Sequence, residues 1–174
     1  MTTAYATAAN FGESTVAVVS QVAVAVDGAS QPSITYLAIP AVTTAITSNY
    51  QARGYTVVAM DPGDAPPPGA SYVVETTALR TTTVWYPCYW WGWWGVPVDT
   101  CAYPWTTPGY STGSLLITMT DVSCLAASSC SGPPAAIWMA LGDSALPDAA
   151  AGADVSVAVT AINQAFEQSP YLKK

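Results

Sequence analysis

The sequence predicts an α+β sandwich, one mostly antiparallel sheet with two helices over one face, in the order β-α-β-β-(aromatic loop)-β-β-α. Three observations carry this expectation. Strict apolar alternation recurs along the chain, two segments place apolar residues at helical spacing, and clusters of Gly, Pro and Asp punctuate them. With 174 residues and no internal linker or repeat, the chain reads as one domain, 1–174, carrying an aromatic insert at about 85–112.

Thr15 to Val26 alternates with Val16, Val18, Val22, Val24 and Val26 on one face, as one strand or two short ones meeting near Ser20-Gln21; Asp27-Gly28 ends it. Ile34–Ala38 suits either a strand or a helix lead-in. Pro40 fits a first helical turn, Ile39, Val42, Ile46 and Tyr50 recur at helical spacing, and Gly54 is a stop, so a helix is expected from Pro40 to Arg53. Tyr55–Met60 reads as a strand, followed by a polar loop through Asp61-Pro62-Gly63-Asp64 and Pro66-Pro67-Pro68-Gly69. Ser71–Trp85 alternates through Tyr72, Val74, Thr76 and Ala78 and is rich in β-branched residues. After the insert, Gly113–Val122 sets Leu115, Ile117 and Met119 on one face. Pro134–Leu141 is its expected hairpin partner, with Ile137, Met139 and Leu141 alternating against Trp138. A last helix carries Val155, Val159, Ile162 and Phe166 as a stripe, starts at Ala153 or Asp154 and stops at Ser169-Pro170.

Composition excludes several functions. Lys and Arg number 4 against 11 Asp and Glu, giving a net charge of −7, too little positive charge to neutralise a run of phosphates, so no nucleic-acid partner is expected. With 0 His, the usual general base and the commonest metal ligand are both missing. Charged residues make up 9%, against about 25% in an average soluble domain. No apolar run approaches the roughly 20 residues of a spanning helix. The low-charge surface leans towards exported bacterial proteins. Met1-Thr2-Thr3-Ala4 has neither the basic nor the apolar region of a leader, so an exported form would be the mature part.

The four cysteines, Cys88, Cys101, Cys124 and Cys130, fall in two close pairs without the spacing of zinc knuckles. Two local disulfides, Cys88–Cys101 and Cys124–Cys130, are the economical reading and imply an oxidising compartment. The alternative is four buried thiols serving as small hydrophobes.

From about Asn10 to Leu172 the layout resembles a family of bacterial lipoproteins catalogued as DUF4136, a domain of unknown function. The matching points are an early strand, a helix closing on Ala52-Arg53-Gly54-Tyr55, the aromatic insert, and the run Thr112-Gly113-Ser114-Leu115-Leu116-Ile117-Thr118-Met119-Thr120-Asp121. The return strand matches Ile137-Trp138-Met139-Ala140, and the last helix closes on Phe166-Glu167-Gln168-Ser169-Pro170-Tyr171. Thr118 stands where the family usually has Asp, Cys124–Cys130 enlarges the hairpin turn, and no Arg-Gly follows Trp138. The resemblance implies an exported, membrane-tethered domain of the periplasm, outer membrane or cell surface with no assigned reaction, and it carries no catalytic residue across.

Gly142-Asp143-Ser144-Ala145-Leu146 looks like the nucleophile block of a serine esterase, but Ser144 has no His to activate it, and a strand-end turn is the better account. Asp61 and Asp64 with Asp27, or Asp143 with Asp148, suggest calcium only superficially; turn chemistry explains them. No spacing selects a glycosidase pair among the carboxylates. Trp138 and Tyr72 are expected in or beside the core.

The segment Trp85–Pro97 differs in kind. Together with Trp105 it holds all but one of the 7 Trp, and adjacent Trp cannot all face one core. Either it folds back as a lid or it forms an exposed platform of Tyr89, Trp90, Trp91, Trp93, Trp94 and Trp105, held by Cys88–Cys101. The functional expectation is a non-enzymatic binding or assembly domain that needs no cofactor or metal. It would dock a protein partner or itself through this loop or an open sheet edge. A carbohydrate- or membrane-surface-binding module is the alternative.

Overall fold

The computed structural model describes residues 2–5, 11–26, 33–79, 113–126, 134, 136–143, 145–146 and 155–173. In chain order these form β1 (Thr2–Tyr5), β2 (Thr15–Val19), β3 (Val22–Val26), β4 (Ser33–Leu37), α1 (Pro40–Ala52), β5 (Thr56–Met60) and β6 (Tyr72–Leu79). They continue with β7 (Ser114–Asp121), α2 (Ser123–Ala126), β8 (Ala136–Gly142) and α3 (Ser156–Glu167). The architecture is the expected two-layer α+β sandwich.

The strands form one sheet in the order β1-β8-β7-β6-β2-β5, with β3 beside the far end of β6 and β4 outside β3. β6, β7, β8 and β1 are antiparallel neighbours, as is the β3/β4 pair. β2 and β3 both lie parallel to β6, and β5 lies parallel to β2, so the sheet is mostly antiparallel, as expected, with a parallel portion around β2 and β3. The reason is the crossover: α1 intervenes between β2 and β5, and a parallel partner requires such a connection. The Thr15–Val26 alternation is two short strands broken at Ser20-Gln21 that share one edge of β6, and the break keeps Val16, Val18, Val22 and Val24 in one core. Ile34–Ala38 resolves as β4, which pairs Ile34 with Ala25 and Tyr36 with Ala23.

α1 and α3 cover one sheet face together. Val42, Ile46 and Tyr50 from α1 and Ala158, Ile162, Ala165 and Phe166 from α3 close a core with Val16, Val18, Tyr72, Val74, Leu115, Ile117, Met119 and Trp138. The stripe of α3 is rotated from the expected one: Val155 and Val159 are only half-buried, and small Ala158 and Ala165 take the innermost places. Alanine carries no bulk beyond Cβ, so it permits close approach of helix to sheet.

α1 ends where its sequence says it must. Gly54 takes φ 91, the Gly54 N–H donates to the Gln51 carbonyl at 3.0 Å, and the Tyr55 N–H donates to the Tyr50 carbonyl at 3.2 Å. This is a Schellman closure, and its customary apolar contact is the Tyr50–Tyr55 edge-on pair at 5.5 Å. Tyr55 and Tyr72 then pin the incoming chain: the Tyr55 hydroxyl donates to the Phe11 carbonyl at 2.9 Å, and the Tyr72 hydroxyl accepts from the Glu13 N–H at 3.3 Å.

Candidate functional site

The sheet face away from the helices holds the most unusual chemistry among the described residues. A smaller core of Ala17, Val19, Met60, Ala70, Val73 and Val122 lies there, and Leu116, Thr118, Thr120, Met139 and Leu141 are buried as well. On β6 the pleat sends Tyr72, Val74, Thr76 and Ala78 to the helix side and Val73, Glu75 and Thr77 to this one. Glu75 is thus a lone carboxyl in the interior of a β-branched strand, opposite Thr118 of β7.

Tyr36 joins it through register. Ala23 of β3 pairs with Tyr36 on one side and Thr77 on the other, so Tyr36 lies in the row next to Glu75 on the same face. Burial pushes the Glu75 carboxyl up to about 7, since removing it from water disfavours the charged form. Burial, and then the nearby Glu75 charge, push the Tyr36 phenol well above its ordinary range. Glu75 therefore exchanges a proton near neutrality. A single such carboxyl can take up or release a proton on this sheet face. In the sequence Glu75 is marked only as one acid inside the β-branched run Tyr72-Val73-Val74-Glu75-Thr76-Thr77, unlike the carboxylates of the polar turns.

The helix layer holds a second polar cluster that the sequence does not announce. Arg53 Nη1 donates to the Asn49 carbonyl and side-chain oxygens at 3.1 and 3.2 Å, and its guanidinium lies 4.8 Å from the Phe166 ring centroid. Asn49 Nδ2 donates to Asn163 Oδ1 at 2.8 Å, joining α1 to α3. The Tyr50 hydroxyl is buried with no hydrogen-bond partner, and burial raises its pKa well above the usual phenol value. These groups clamp α1 against α3, so they read as architecture.

Tyr89, Trp90, Trp91, Trp93, Trp94 and Trp105, with Cys88, Cys101 and Cys130, lie outside the described residues. Cys124 is disulfide-bonded. Ser144, Asp27 and Asp148 also lie outside. Asp143 is exposed and accepts from the Ser114 hydroxyl at 2.9 Å, across the strand end. Asp61 accepts from the Ser20 hydroxyl at 2.9 Å, and its carbonyl accepts from the Asp64 N–H at 3.2 Å, with Gly63 at φ 87. This is the turn chemistry that was expected of Asp-Pro-Gly-Asp. Among the described residues no group of three or more His, Cys, Asp or Glu could hold a metal ion, and no helix is long and apolar enough to cross a membrane. Trp138 and Tyr72 are both fully buried in the helix-side core.

No protein-family model and no curated protein matches the chain. Among solved structures, the crystal structure of a DUF4136 family protein from Bacteroides thetaiotaomicron is similar to it, with a TM-score of 0.68 and 26% identity over 99% of this chain and 96% of that one. The chain thus resembles a DUF4136 family protein in fold across its length.

Proposed function

We propose that the chain is a non-enzymatic, exported binding or assembly domain of the bacterial periplasm, outer membrane or cell surface. It docks a protein partner or another copy of itself through the aromatic segment 85–112. The observation that carries this reading is the concentration of Trp in that segment, in a chain with 9% charged residues. Large aromatics anchor interfaces far more often than their abundance on surfaces would suggest. The helix-side core has its own large aromatics in Trp138, Tyr50, Tyr72 and Phe166, which supports giving the segment another task. Export is supported by the disulfide at Cys124, and a bacterial setting by the likeness to a bacterial protein.

The test pairs sedimentation of the full chain with a glycan array and liposome flotation, for the wild type and the Trp90→Ala/Trp91→Ala double variant. Assembly beyond a dimer that disappears in the double variant, with no glycan or vesicle binding, supports the reading. Glycan or vesicle binding lost in the same variant transfers the segment to the carbohydrate- or membrane-surface module. Assembly and binding indifferent to both substitutions removes the segment from function.

A further inference from the structure

The sheet ends at β5, whose outer side has no neighbouring strand among the described residues. The Thr56 N–H donates to the Ser14 carbonyl at 2.7 Å and the Met60 carbonyl accepts from the Ser20 N–H at 2.8 Å, so Thr56, Val58 and Met60 turn their backbone groups towards β2. Backbone groups alternate sides along a strand, so those of Val57 and Ala59 point to the open side. Natural edges are guarded by Lys, Pro, bulges or inward charges. Thr56-Val57-Val58-Ala59-Met60 has no Lys, no Pro and no charge, and its register with β2 runs without a shift. Thr56, Val58 and Ala59 are exposed, with Val58 at 37%.

We propose that β5 pairs antiparallel with β5 of a second copy, about a two-fold axis through Val58, so that one sheet runs through both chains. Two features select this occupant and direction. In this register Val57 faces Ala59 of the other copy, so every outward backbone group of both strands is used. Val58 meets its own counterpart as a pair without hydrogen bonds between them, the arrangement that brings side chains closest. The exposed valine is thereby covered. Charge agrees with this direction: Arg53, its guanidinium held over Phe166, precedes the strand and Asp61 and Asp64 follow it, so antiparallel pairing brings the basic end of each strand towards the acidic end of the other. Parallel pairing would set like on like.

This contact stands independently of the aromatic segment, and the experiment separates the two. The full chain is studied by sedimentation equilibrium over a concentration series, with Val58→Lys, Val58→Asp and Ala59→Pro, each checked for native circular dichroism. Ala59→Pro removes only an outward N–H, leaving the ladder to β2 intact. The wild type is expected to dimerise, and each variant to weaken that dimer by at least about tenfold through charge repulsion or a lost edge donor. Mixing the Val58→Lys and Val58→Asp chains is expected to restore a dimer containing one of each, which only a Val58–Val58 contact explains. A monomeric wild type, or a dimer that all three substitutions leave intact, overturns the proposal. So does a dimer abolished by Trp90→Ala/Trp91→Ala but not by the β5 variants, which would leave the aromatic-segment reading standing alone.

Discussion

Trp138 Nε1 donates to Ser169 Oγ at 3.0 Å in the buried core, tying β8 to the chain just beyond α3. The Tyr171 hydroxyl donates to the same oxygen at 3.2 Å, and Ser169 and Leu172 are both fully buried. The Ser-Pro-Tyr that ends the last helix is therefore more than a stop signal: its serine satisfies the one polar atom of the largest buried side chain among the described residues. Phe166 lies against the same indole, with ring centroids 5.5 Å apart. The end of α3 and the centre of β8 form one packing unit.

Ser169→Ala is expected to destabilise the fold by about 1–3 kcal/mol, because the indole N–H is left dry and unpaired. Urea unfolding of Ser169→Ala, Trp138→Phe and the double variant reads this directly. If the hydrogen bond is the cause, Ser169→Ala costs much less in the Trp138→Phe background than alone. Full additivity would show that the serine acts through something else.

Gly54→Ala is expected to cost about 1 kcal/mol, because a Cβ is strained at positive φ. The loss should appear as a lower denaturation midpoint with an unchanged slope. An unchanged midpoint would mean that the Schellman closure is not held as described.

The sequence foretold those elements whose signal is local. Val42, Ile46 and Tyr50 announced α1 because helical spacing is written in consecutive turns, and Leu115, Ile117 and Met119 announced β7 for the equivalent reason in a strand. β1 gave no such signal, and at β4 the run Ile34–Ala38 left strand and helix lead-in both open. Thr-Thr-Ala-Tyr has little apolar periodicity, and β1 exists through its ladder with β8; β4 exists through its ladder with β3. The parallel docking of β2 and β3 on β6 joins segments some fifty residues apart, and no local pattern encodes which partner a strand selects. α2 escaped notice because one short turn has no period; Asp121 begins it by accepting from the Ser123 N–H at 2.9 Å. Glu75 is a different kind of miss. Its identity was visible, but what makes it unusual is the burial of its sheet face, which only the assembled fold creates.

The two disulfides are expected to be local, Cys88–Cys101 and Cys124–Cys130. Each closes a short loop and should stabilise by about 2–3 kcal/mol. Mass spectrometry of unreduced proteolytic peptides checks the pairing, and crossed partners would contradict it. Thermal unfolding with and without reductant then measures the stabilisation.

Glu75 should leave a signature in the pH dependence of stability. Its pKa is raised from the model-peptide value of 4.5 to about 7 in the fold, so between these values the native state holds a proton that the unfolded chain has released. Stability contributed by this group therefore falls as pH rises from 4.5 to about 7 and is level on either side. Tyr36, on the same face, stays neutral throughout that window because its own pKa is raised far above it. Glu75→Gln keeps the shape and the hydrogen-bonding capacity of the protonated acid while removing the titration. The variant should match the wild type near pH 4 and exceed it by about 2 kcal/mol at pH 8, because Glu75 is half-buried and keeps some contact with solvent. Chemical denaturation across this range measures the difference. A constant offset between the two proteins at every pH would show that Glu75 ionises in the fold as it does in water, and that this sheet face is wetter than its packing indicates.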